Sequence, residues 1–408
     1  MAKVIVLGGG GGVGSVAART LASAGLFDEI TVADYRLDAA RKTAASLGRK
    51  MRAVRVDAGD RESLVKALSG SCVVLNCVGP FYKFGPPILE AAIQAGIDYV
   101  DVCDDLDATE RMLEMDASAR EAGIRALIGM GNSPGLANVL ARFCADTMLD
   151  SVDSVDIYHA HGGEPSEGPG VIKHRIHAMI SDIPLFVDGE FVRVKMLEES
   201  GQRFVEEVEF RDVGRFPVYP YPHPETITIP RHIQGIKRVT NMGVVLPLSY
   251  FNLTMDAVRL GICTEDPLEF DGGSCVPIDF AVAHILAQRP RLLAEAGMTG
   301  PQGCLKVVVK GLKEGGSHTY VFQMSSRGAG AGEGTGIPAA LGAILMSQGR
   351  VKGQGVLPPE ACVVPGEMLE LAGRITRDIP GAGTGGEVPL FIEHVDGSGK
   401  REAVDFKF

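Results

Sequence analysis

The chain opens with an apolar stretch that runs into five consecutive glycines. Residues 3–7 predict a strand, and the small and apolar residues after the glycines predict a helix. Gly9, Gly11 and Gly14 fit the G-x-G-x-x-G spacing of a dinucleotide-binding turn. The first glycine permits the tight turn, the second lets the backbone approach a pyrophosphate, and the third lets helix and strand pack closely. The predicted cofactor loop is Gly9, Gly11, Gly12, Val13 and Gly14.

An acidic residue at the end of the second predicted strand supports a dinucleotide site. Such a turn requires one about 20 residues on, where its carboxylate binds the adenosine ribose. Asp34 lies 20 positions after Gly14. Its negative charge favours NAD, whereas Arg36 next to Tyr35 is able to accommodate the 2′-phosphate of NADP. We therefore expect NAD, with NADP as the alternative and Tyr35 and Arg36 beside the ribose; a glycine-rich turn without a cofactor is the competing interpretation.

Predicted strands and helices alternate as far as residue 129. Helices are predicted over 37–47, 60–68, 86–95 and 108–122, and strands over 52–57, 72–79, 98–104 and 125–129. This alternation predicts right-handed crossovers and a doubly wound parallel sheet, in which ligands lie beyond the carboxyl ends of the strands. We therefore assign Asp57, Asn76, Cys77, Gly79 and Pro80 to the cofactor site. Asp57 either touches the adenine or only caps the following helix.

The predicted fold class is α/β, a Rossmann doubly wound parallel sheet plus an α+β domain with a mixed sheet. Residues 1–137 are predicted as the NAD(P)-binding Rossmann domain, and residues 138–330 as a substrate-binding and dimerisation domain. Strand-like stretches dominate the second part, among them Thr226–Ile229. Residues 331–375 are expected to form a C-terminal helix that returns to the Rossmann domain, and residues 376–408 a tail that forms an edge hairpin.

Size and charge limit the range of partners. The 408 residues suit two or three domains, and 45% hydrophobic with 22% charged residues are typical of a globular protein. The net charge of −11 argues against binding to nucleic acid or to an anionic membrane, and no apolar segment approaches the roughly 18 residues of a membrane span. Eight cysteines without a C-x-x-C pair predict neither a zinc site nor a disulfide framework, so we expect a cytoplasmic protein. With nucleic acid and membrane disfavoured, the expected partner is a small-molecule substrate.

Several stretches together resemble the saccharopine dehydrogenase-like superfamily, which contains saccharopine reductase, carboxynorspermidine dehydrogenase and lysine 6-dehydrogenase. The stretches that carry the resemblance are Val73–Phe81, Tyr99–Val102, Gly131–Gly135, Gly336–Ala340 and Gly355–Glu360. The likeness spans about residues 3–375 and is loose over 150–330, where the substrate would be chosen. Relatives often carry an acidic residue before the Gly-x-x-Pro-Gly turn, where this chain has Gly129 and Met130.

The resemblance implies oxidation at a carbon that bears an amine, with a nicotinamide cofactor taking the hydride, in a homodimer. Such oxidation requires a neutral nitrogen, so a base must lie near the nicotinamide. Asp101 and Asp104 at the end of the fifth strand are the carboxylate candidates, although either could simply cap the next helix. His174 and His177 are further candidates because they lie three residues apart, on one face of a helix. They lack a neighbouring acidic or cysteine partner along the chain, so no metal is predicted; an exposed histidine pair is the alternative.

Arginines of the second domain are candidates for binding a substrate carboxylate. A guanidinium binds a carboxylate through a two-pronged hydrogen bond, and Arg175, Arg231 and Arg238 are available there. We therefore predict an NAD(P)-dependent oxidoreductase acting on the C–N bond of an amino acid or diamine, similar to lysine 6-dehydrogenase or saccharopine dehydrogenase. Two alternatives stay open: an NADPH-dependent reductive condensation of the opine or carboxynorspermidine type, and a non-catalytic dinucleotide-binding sensor or assembly protein.

Overall fold

The computed structural model describes residues 2–48, 51–328, 330–376 and 390–405. Strands and helices alternate through the first third of the chain. In order they are β1 (Lys3–Leu7), α1 (Gly12–Ala24), β2 (Glu29–Asp34), α2 (Leu37–Leu47), β3 (Met51–Arg55), α3 (Arg61–Leu68), β4 (Val73–Asn76), α4 (Phe81–Ala95), β5 (Asp98–Asp101), α5 (Leu106–Leu113), α6 (Asp116–Glu121), β6 (Arg125–Leu127) and α7 (Leu136–Thr147).

Strands dominate the middle of the chain, and helices return after it. The elements are β7 (Ser151–Gly162), α8 (Pro169–Ile180), β8 (Ile183–Val187), β9 (Glu190–Val194), α9 (Glu199–Gln202), β10 (Glu206–Phe210), β11 (Gly214–Pro220), α10 (Glu225–His232), β12 (Arg238–Leu246), α11 (Leu248–Arg259), β13 (Leu268–Phe270), β14 (Gly273–Cys275), α12 (Pro277–Glu295), β15 (Gln302–Lys313), β16 (Gly316–Arg327), α13 (Ala331–Ser347), β17 (Gly355–Leu357), α14 (Pro359–Cys362), α15 (Pro365–Thr376), β18 (Leu390–Val395) and β19 (Arg401–Ala403).

The first sheet is parallel and has the order β17-β6-β5-β4-β1-β2-β3. The predicted Rossmann-type sheet is confirmed. Its middle strands are buried and apolar, as expected where helices cover both faces of a parallel sheet. One strand was not predicted: Gly355 to Leu357 pair with β6 at the edge of the sheet, so the chain returns to this sheet after α13.

The second sheet is mixed, which confirms the other half of the predicted fold class. Its main path is β10-β11-β12-β7-β15-β16-β18-β19, with β8 and β9 attached to β12. Strand β7 runs parallel to β12 and antiparallel to β15. The predicted strand Thr226–Ile229 is wrong, because these residues form the middle of helix α10. In the tail, β18 and β19 form an antiparallel hairpin on β16, while residues 377–389 and 406–408 lie outside the described residues.

Helix α13 joins the two parts of the molecule. It packs along α1, and the fit depends on missing side chains, since a Cβ on Gly336 would lie 2.7 Å from the carbonyl oxygen of Val13. The largest buried apolar cluster includes residues of both sheets together with α7 and α13. The two sheets therefore share the largest apolar cluster, and two smaller clusters lie within residues 158–321. Among the described residues, no helix combines the length and apolar character that crossing a membrane demands.

Candidate functional site

A cavity of about 1520 Å³ lies between the carboxyl ends of the first sheet and the second sheet. Its cofactor side is formed by the turn after β1, the segment after β4 and the start of α13. Its other side is formed by β7, α8 and the segment before α10. The predicted site residues that line it are Val13, Cys77, Gly79, Pro80, Asp104, His174, Arg175 and His177.

The turn between β1 and α1 is a bare backbone that a side chain would fill. A Cβ on Gly14 would lie 2.2 Å from the carbonyl oxygen of Gly8, and one on Gly9 would lie 2.6 Å from Val32 Cγ1. Gly11 is the N-cap of α1, and no side chain caps this helix start. Gly12 faces open space, with nothing within 4 Å of its added Cβ. Such a turn fits a pyrophosphate against backbone N–H groups at a helix start.

The carboxylate of Asp34 ends β2 beside this turn. Its Oδ2 accepts the Gly10 N–H at 3.0 Å and its Oδ1 accepts the Arg36 N–H at 2.9 Å. Each carboxylate oxygen can accept a second hydrogen bond, so ribose hydroxyls can still bind there. Tyr35 is exposed, and the guanidinium of Arg55 lies 5.2 Å from the centre of its ring.

Asp57 forms a local turn rather than the cap of α3. It is exposed, and its Oδ1 accepts the Gly59 N–H at 2.9 Å. Asp60 is the residue that caps α3, because its side chain accepts the N–H groups of Glu62 and Ser63. Asp57 stands at the carboxyl end of β3, at the same edge of the sheet as Asp34.

Asn76 and Asp101 are fully buried and are not part of the cavity lining, so the structure does not support the roles predicted for them. Asn76 donates to the Tyr99 hydroxyl at 3.0 Å, and that hydroxyl donates to Asp101 at 2.8 Å. Asp101 also accepts the N–H groups of Cys103 and Gly129. Burial raises the pKa of Asp101 to about 6, although these hydrogen bonds oppose the shift. Neither residue lines the cavity; both brace the loops after β4, β5 and β6.

Cys77, Gly79 and Pro80 follow β4 and form part of the cavity wall. Burial, reinforced by the charge of Asp101, raises the pKa of the Cys77 thiol to about 12. It therefore stays protonated at neutral pH and contributes a polarisable surface instead of a nucleophile.

His174 forms an ion pair with Asp105 at the wall of the cavity. His174 Nδ1 on α8 lies 3.3 Å from Asp105 Oδ1, and Asp104 is adjacent. Burial alone would lower the pKa of His174, but the hydrogen bond with Asp105 and the charges of Asp104 and Asp105 raise it to about 9. Burial would raise the pKa of Asp105, yet the contacts with His174 and the Tyr82 N–H lower it. The histidine is therefore an imidazolium at neutral pH.

The fold supplies acidic neighbours that the sequence pattern around His174 lacks. Asp104, Asp105 and His174 offer ligand atoms within 4.8 Å of one another. The ion pair between His174 and Asp105 forms part of this grouping, and the absence of a metal stays a prediction. His177 is exposed at the cavity wall, with its ring centre 6.5 Å from that of Tyr82.

Arg175 lies in a buried charged cluster. Its Nη2 is 3.2 Å from Glu167 Oε1, and its guanidinium lies 5.1 Å from the centre of the Tyr250 ring. Tyr250 donates to Glu167 Oε2 at 2.9 Å, and Arg289 Nε lies 3.5 Å from the same oxygen. The cluster therefore holds two guanidiniums against one carboxylate. Arg175 Nη1 is buried and has no hydrogen-bond partner among the described residues. A lining residue with a buried free donor is suited to an anionic ligand.

Arg231 and Arg238 do not reach the cavity, which corrects both predictions. Arg231 is exposed near the end of α10. Arg238 begins β12 and is 2.7 Å from Asp156, whereas Val245, seven residues further along this strand, lines the cavity. Because an extended strand rises about 3.3 Å per residue, Arg238 lies at the far end of the sheet.

Several cavity residues were missed from the sequence. His159 and His161 alternate along β7, so their shared face was readable from the period of a strand. The ring of His159 stacks on that of His223, 5.3 Å between centres, and meets the ring of Tyr221 edge-on, 5.0 Å between centres. Room for His159 depends on Gly243 opposite it, where a Cβ would lie 2.0 Å from the ring. Asp105, Glu167 and Arg289 carry no sequence pattern; only the fold brings them together.

Comparisons with known proteins agree with this architecture. Residues 4–127 match the family model of the saccharopine dehydrogenase NADP-binding domain. Carboxyaminopropylagmatine dehydrogenase from Synechocystis sp. is 26% identical over 381 residues, covering 88% of this chain and 92% of that protein. Carboxynorspermidine synthase from Vibrio cholerae is 26% identical over 339 residues, covering 75% of this chain and 77% of that protein. These findings support the resemblance to the saccharopine dehydrogenase-like superfamily that the sequence predicted.

Two solved structures share the fold of this chain. Saccharopine dehydrogenase (L-Glu forming) from Saccharomyces cerevisiae has a TM-score of 0.63 at 17% identity, covering 92% of this chain and 97% of that one. Homospermidine synthase from Legionella pneumophila, solved in complex with NAD, has a TM-score of 0.56 at 12% identity, covering 95% of this chain and 91% of that one. The chain is an NAD(P)-binding oxidoreductase, as predicted.

Proposed function

We propose that the chain acts on the C–N bond of a secondary amine that carries a carboxylate. It joins an aldehyde to an amine by reductive condensation, and in reverse it oxidises the secondary amine. The observation that carries this proposal is the buried, unpartnered Nη1 of Arg175 in the same cavity as the His174–Asp105 pair and the cofactor turn. Relatives named for carboxylated polyamines favour condensation over oxidation of a free amino acid such as lysine.

Arg175 is the proposed anchor for the carboxylate. Two arginines share Glu167, so the cluster retains one positive charge next to the cavity. An uncompensated buried charge is costly, and a substrate carboxylate on Arg175 Nη1 would neutralise it. Tyr250 holds the guanidinium plane of Arg175 from one side, so the free nitrogen is already oriented for binding.

Acidic residues around the rest of the cavity favour an amine at the other end of the substrate. Seven carboxylates line the cavity, and they outnumber the basic side chains of Lys173, His174 and Arg175 that line it as well. They are Asp104, Asp105, Asp107, Glu164, Glu265, Asp266 and Glu333. Clefts lined with one sign of charge concentrate ligands of the opposite sign. A substrate with a carboxylate near Arg175 and ammonium groups near Glu265 and Asp266 would match both regions.

His174 is the proposed proton donor in the condensing direction. Its raised pKa, about 9, keeps it an imidazolium at neutral pH, and Asp105 fixes its orientation. An imidazolium can donate a proton to the departing hydroxyl of a carbinolamine or to the nitrogen of the new amine. In the oxidising direction the same ring must first lose its proton, so oxidation is expected to be faster in alkaline solution. The cofactor, when bound, supplies or accepts the hydride.

NAD remains the proposed preference at the ribose. The carboxylate of Asp34 would repel the 2′-phosphate of NADP, although the exposed cations Arg36 and Arg55 lie close by. Direct titration with NADH and NADPH measures this preference independently of any substrate.

The test is a reductive condensation assay. The purified chain is given NADH or NADPH, an aldehyde that bears an amino-acid head group, and one of a panel of amines: agmatine, diaminopropane, putrescine, lysine and glutamate. Consumption of reduced nicotinamide that requires both aldehyde and amine, with a secondary amine identified by mass spectrometry, is the expected result. Tight nicotinamide binding without turnover across the panel, in either direction, would favour a non-catalytic dinucleotide-binding protein. Homodimer formation and a cytoplasmic location stay predictions.

A further inference from the structure

Two buried carboxylates lie between the large cavity and a smaller cleft on another side of the molecule. Glu225 begins α10 and is fully buried; Glu360 lies on α14 and is 2% exposed. Helix α10 packs on α14, which brings the two regions together. No arginine or lysine pairs with either carboxylate within the described part of the chain. Their burial without a cation needs an explanation, because an unpaired buried carboxylate is strongly destabilising.

Glu225 contacts the wall of the cavity. Ser133 Oγ donates to its Oε1, and Asn241 Nδ2 donates to the same oxygen at 3.2 Å. His223 Nδ1 lies 3.7 Å from its other oxygen, Oε2. Ser133 and His223 both line the cavity, so Glu225 is one hydrogen bond away from it. Oε2 itself has no hydrogen-bond partner among the residues described.

Thr228 connects Glu225 with Glu360. It lies three residues after Glu225 on α10, hence on the same face of that helix, and is 1% exposed. Its hydroxyl is near enough to Glu360 to lower the pKa of that carboxyl. Yet in the described ranges neither Thr228 Oγ1 nor Glu360 Oε1 forms a hydrogen bond. Adjacent buried polar atoms without partners are typical places for an ordered water.

Glu360 reaches the smaller cleft. Its Oε2 accepts from Asn138 Nδ2 at 2.9 Å, and Asn138 Oδ1 in turn accepts the Gly135 N–H at 2.8 Å. The residue is part of the lining of a cleft of about 190 Å³. Besides Glu360, the charged or titratable groups of that cleft are Arg142 and Asp146 of α7, His232 of α10, Lys352, and Cys362 of α14. A proton that reached Glu360 would therefore have acceptors that face outside the protein.

We propose that Glu225, Thr228 and Glu360 form a proton path between the cavity and this cleft. The proposal rests on the proposed function, because that reaction exchanges one proton per turnover. When a secondary amine is oxidised, the C–H bond breaks and its hydrogen leaves as hydride to NAD(P)⁺. The N–H bond breaks and its hydrogen leaves as a proton, giving imine, NAD(P)H and H⁺. In the condensing direction the same proton is taken up. A route through the protein would allow this exchange while substrate and cofactor occupy the cavity.

The electrostatics of the path suit a group that gains and loses a proton. Burial, together with the charge of Glu225, raises the pKa of Glu360 to about 7, against the nearby Thr228 hydroxyl and the hydrogen bond from Asn138. The groups that face it are Glu225 and Thr228 from α10, Asn138 from α7, Cys362 from α14, and the charged residues of the cleft. A carboxyl that is half protonated near neutral pH can both accept and deliver a proton.

The kinetic test uses two variants of the full chain with bound cofactor. Thr228→Val removes the hydroxyl at nearly constant volume, and Glu360→Gln removes the titrating group. Thr254→Val is the matched control, because Thr254 is equally buried and its hydroxyl bonds only to its own helix. We expect proton exchange, followed with a pH indicator, and kcat to fall at least about tenfold in both variants. KM should be unchanged, and imidazole in the buffer should restore the rate. A loss that imidazole does not restore, or no loss at all, would overturn the path.

A second readout does not depend on turnover. Infrared spectra of the chain with bound NADH should show a carboxylic acid carbonyl band that titrates near pH 7 and is absent in Glu360→Gln. Thr228→Val should move its midpoint, and Thr254→Val should leave it in place. Adding an amine should perturb it. If no amine is turned over but this band behaves as expected, the proposed substrate fails and the path stands. A Glu360 that stays ionised from pH 5 to 9, or a band indifferent to Thr228, refutes the path whatever the substrate.

Discussion

At the scale of single residues, His174 decides how the reaction responds to pH. Its pKa lies above the ordinary value of 6.5, at about 9, so His174 is protonated at neutral pH. The stability that its pairing with Asp105 gives the folded chain is therefore full below pH 6.5 and is lost as the pH rises through 9. We expect His174→Asn to lower kcat for condensation by about 100-fold or more. The pH profile of the parent should fall on the alkaline side near 9, and the variant should lack this limb.

Asp105→Asn is the paired variant for this prediction. The amide keeps the size of the side chain and an oxygen for the Tyr82 N–H, but it removes the charge that raises the pKa of His174. The alkaline limb should therefore move to lower pH while the activity in acidic solution is largely kept. If Asp105→Asn and the parent chain have the same alkaline limb in their pH profiles, another group donates the proton.

Arg175 is the residue on which substrate choice should depend. Removing one member of a buried charge pair costs about 2 kcal/mol or more, which is roughly 30-fold in affinity. We expect Arg175→Met to raise KM for a carboxylated substrate by at least this factor and to leave KM for the decarboxylated analogue nearly unchanged. Arg231→Gln is the control, because Arg231 is exposed outside the cavity. Equal effects on both substrates would show that Arg175 only supports the fold.

At the scale of elements, the turn between β1 and α1 offers a matched pair of glycines. Gly14→Ala would place a Cβ 2.2 Å from a backbone oxygen, whereas Gly12→Ala meets nothing within 4 Å. We expect Gly14→Ala to destabilise the chain by about 1–3 kcal/mol through forced backbone shifts and to abolish cofactor binding. Gly12→Ala should retain the melting temperature of the parent chain. Thermal unfolding with and without NADH measures both, and an equal loss in the two variants would contradict this account of the turn.

Sequence patterns predicted the first sheet well because its determinants are local. The glycine spacing and Asp34 lie within one strand–helix–strand unit, so they could be read without the fold. The strand from Gly355 to Leu357 escaped prediction because it has three residues and pairs with a strand more than two hundred positions earlier. Thr226–Ile229 were misassigned because their β-branched residues favour strands. All four are buried in a helix between other elements, so tertiary packing overrode that propensity.

The substrate side could be predicted only in part, since its chemistry depends on distant contacts. His174 was a candidate from its type and spacing, but its partner Asp105 comes from the other domain. Asp101 had the expected position at a strand end, yet the Tyr99 hydroxyl and two backbone N–H groups occupy its carboxylate. Asp101 is buried and hydrogen-bonded, whereas Asp104, three residues later, lines the cavity. Neither burial nor hydrogen bonding could be read from the sequence.

At the scale of the whole molecule, the two sheets are joined by more than a linker. The largest apolar cluster runs from Val4–Leu7 in the first sheet through α7 and α13 to Val307 and Phe322 in the second. Helix α13 both packs on α1 and supplies Glu333 and Thr335 to the cavity. The two sheets are therefore fixed relative to each other by shared core packing. Helix α8, which carries His174 and Arg175, packs in a separate apolar cluster with α11 and α12.

This shared core predicts that the chain unfolds as one unit. Calorimetry should give a single transition whose calorimetric and van't Hoff enthalpies agree, although two separate sheets are present. NADH at about 100 times its Kd should stabilise the whole chain by about 2.7 kcal/mol, because only the folded state binds it. Gly336→Leu, which would drive a side chain into the backbone of α1 at Val13, should split the transition in two. Only the first-sheet transition should then respond to NADH; two transitions in the parent chain would show that the sheets fold independently.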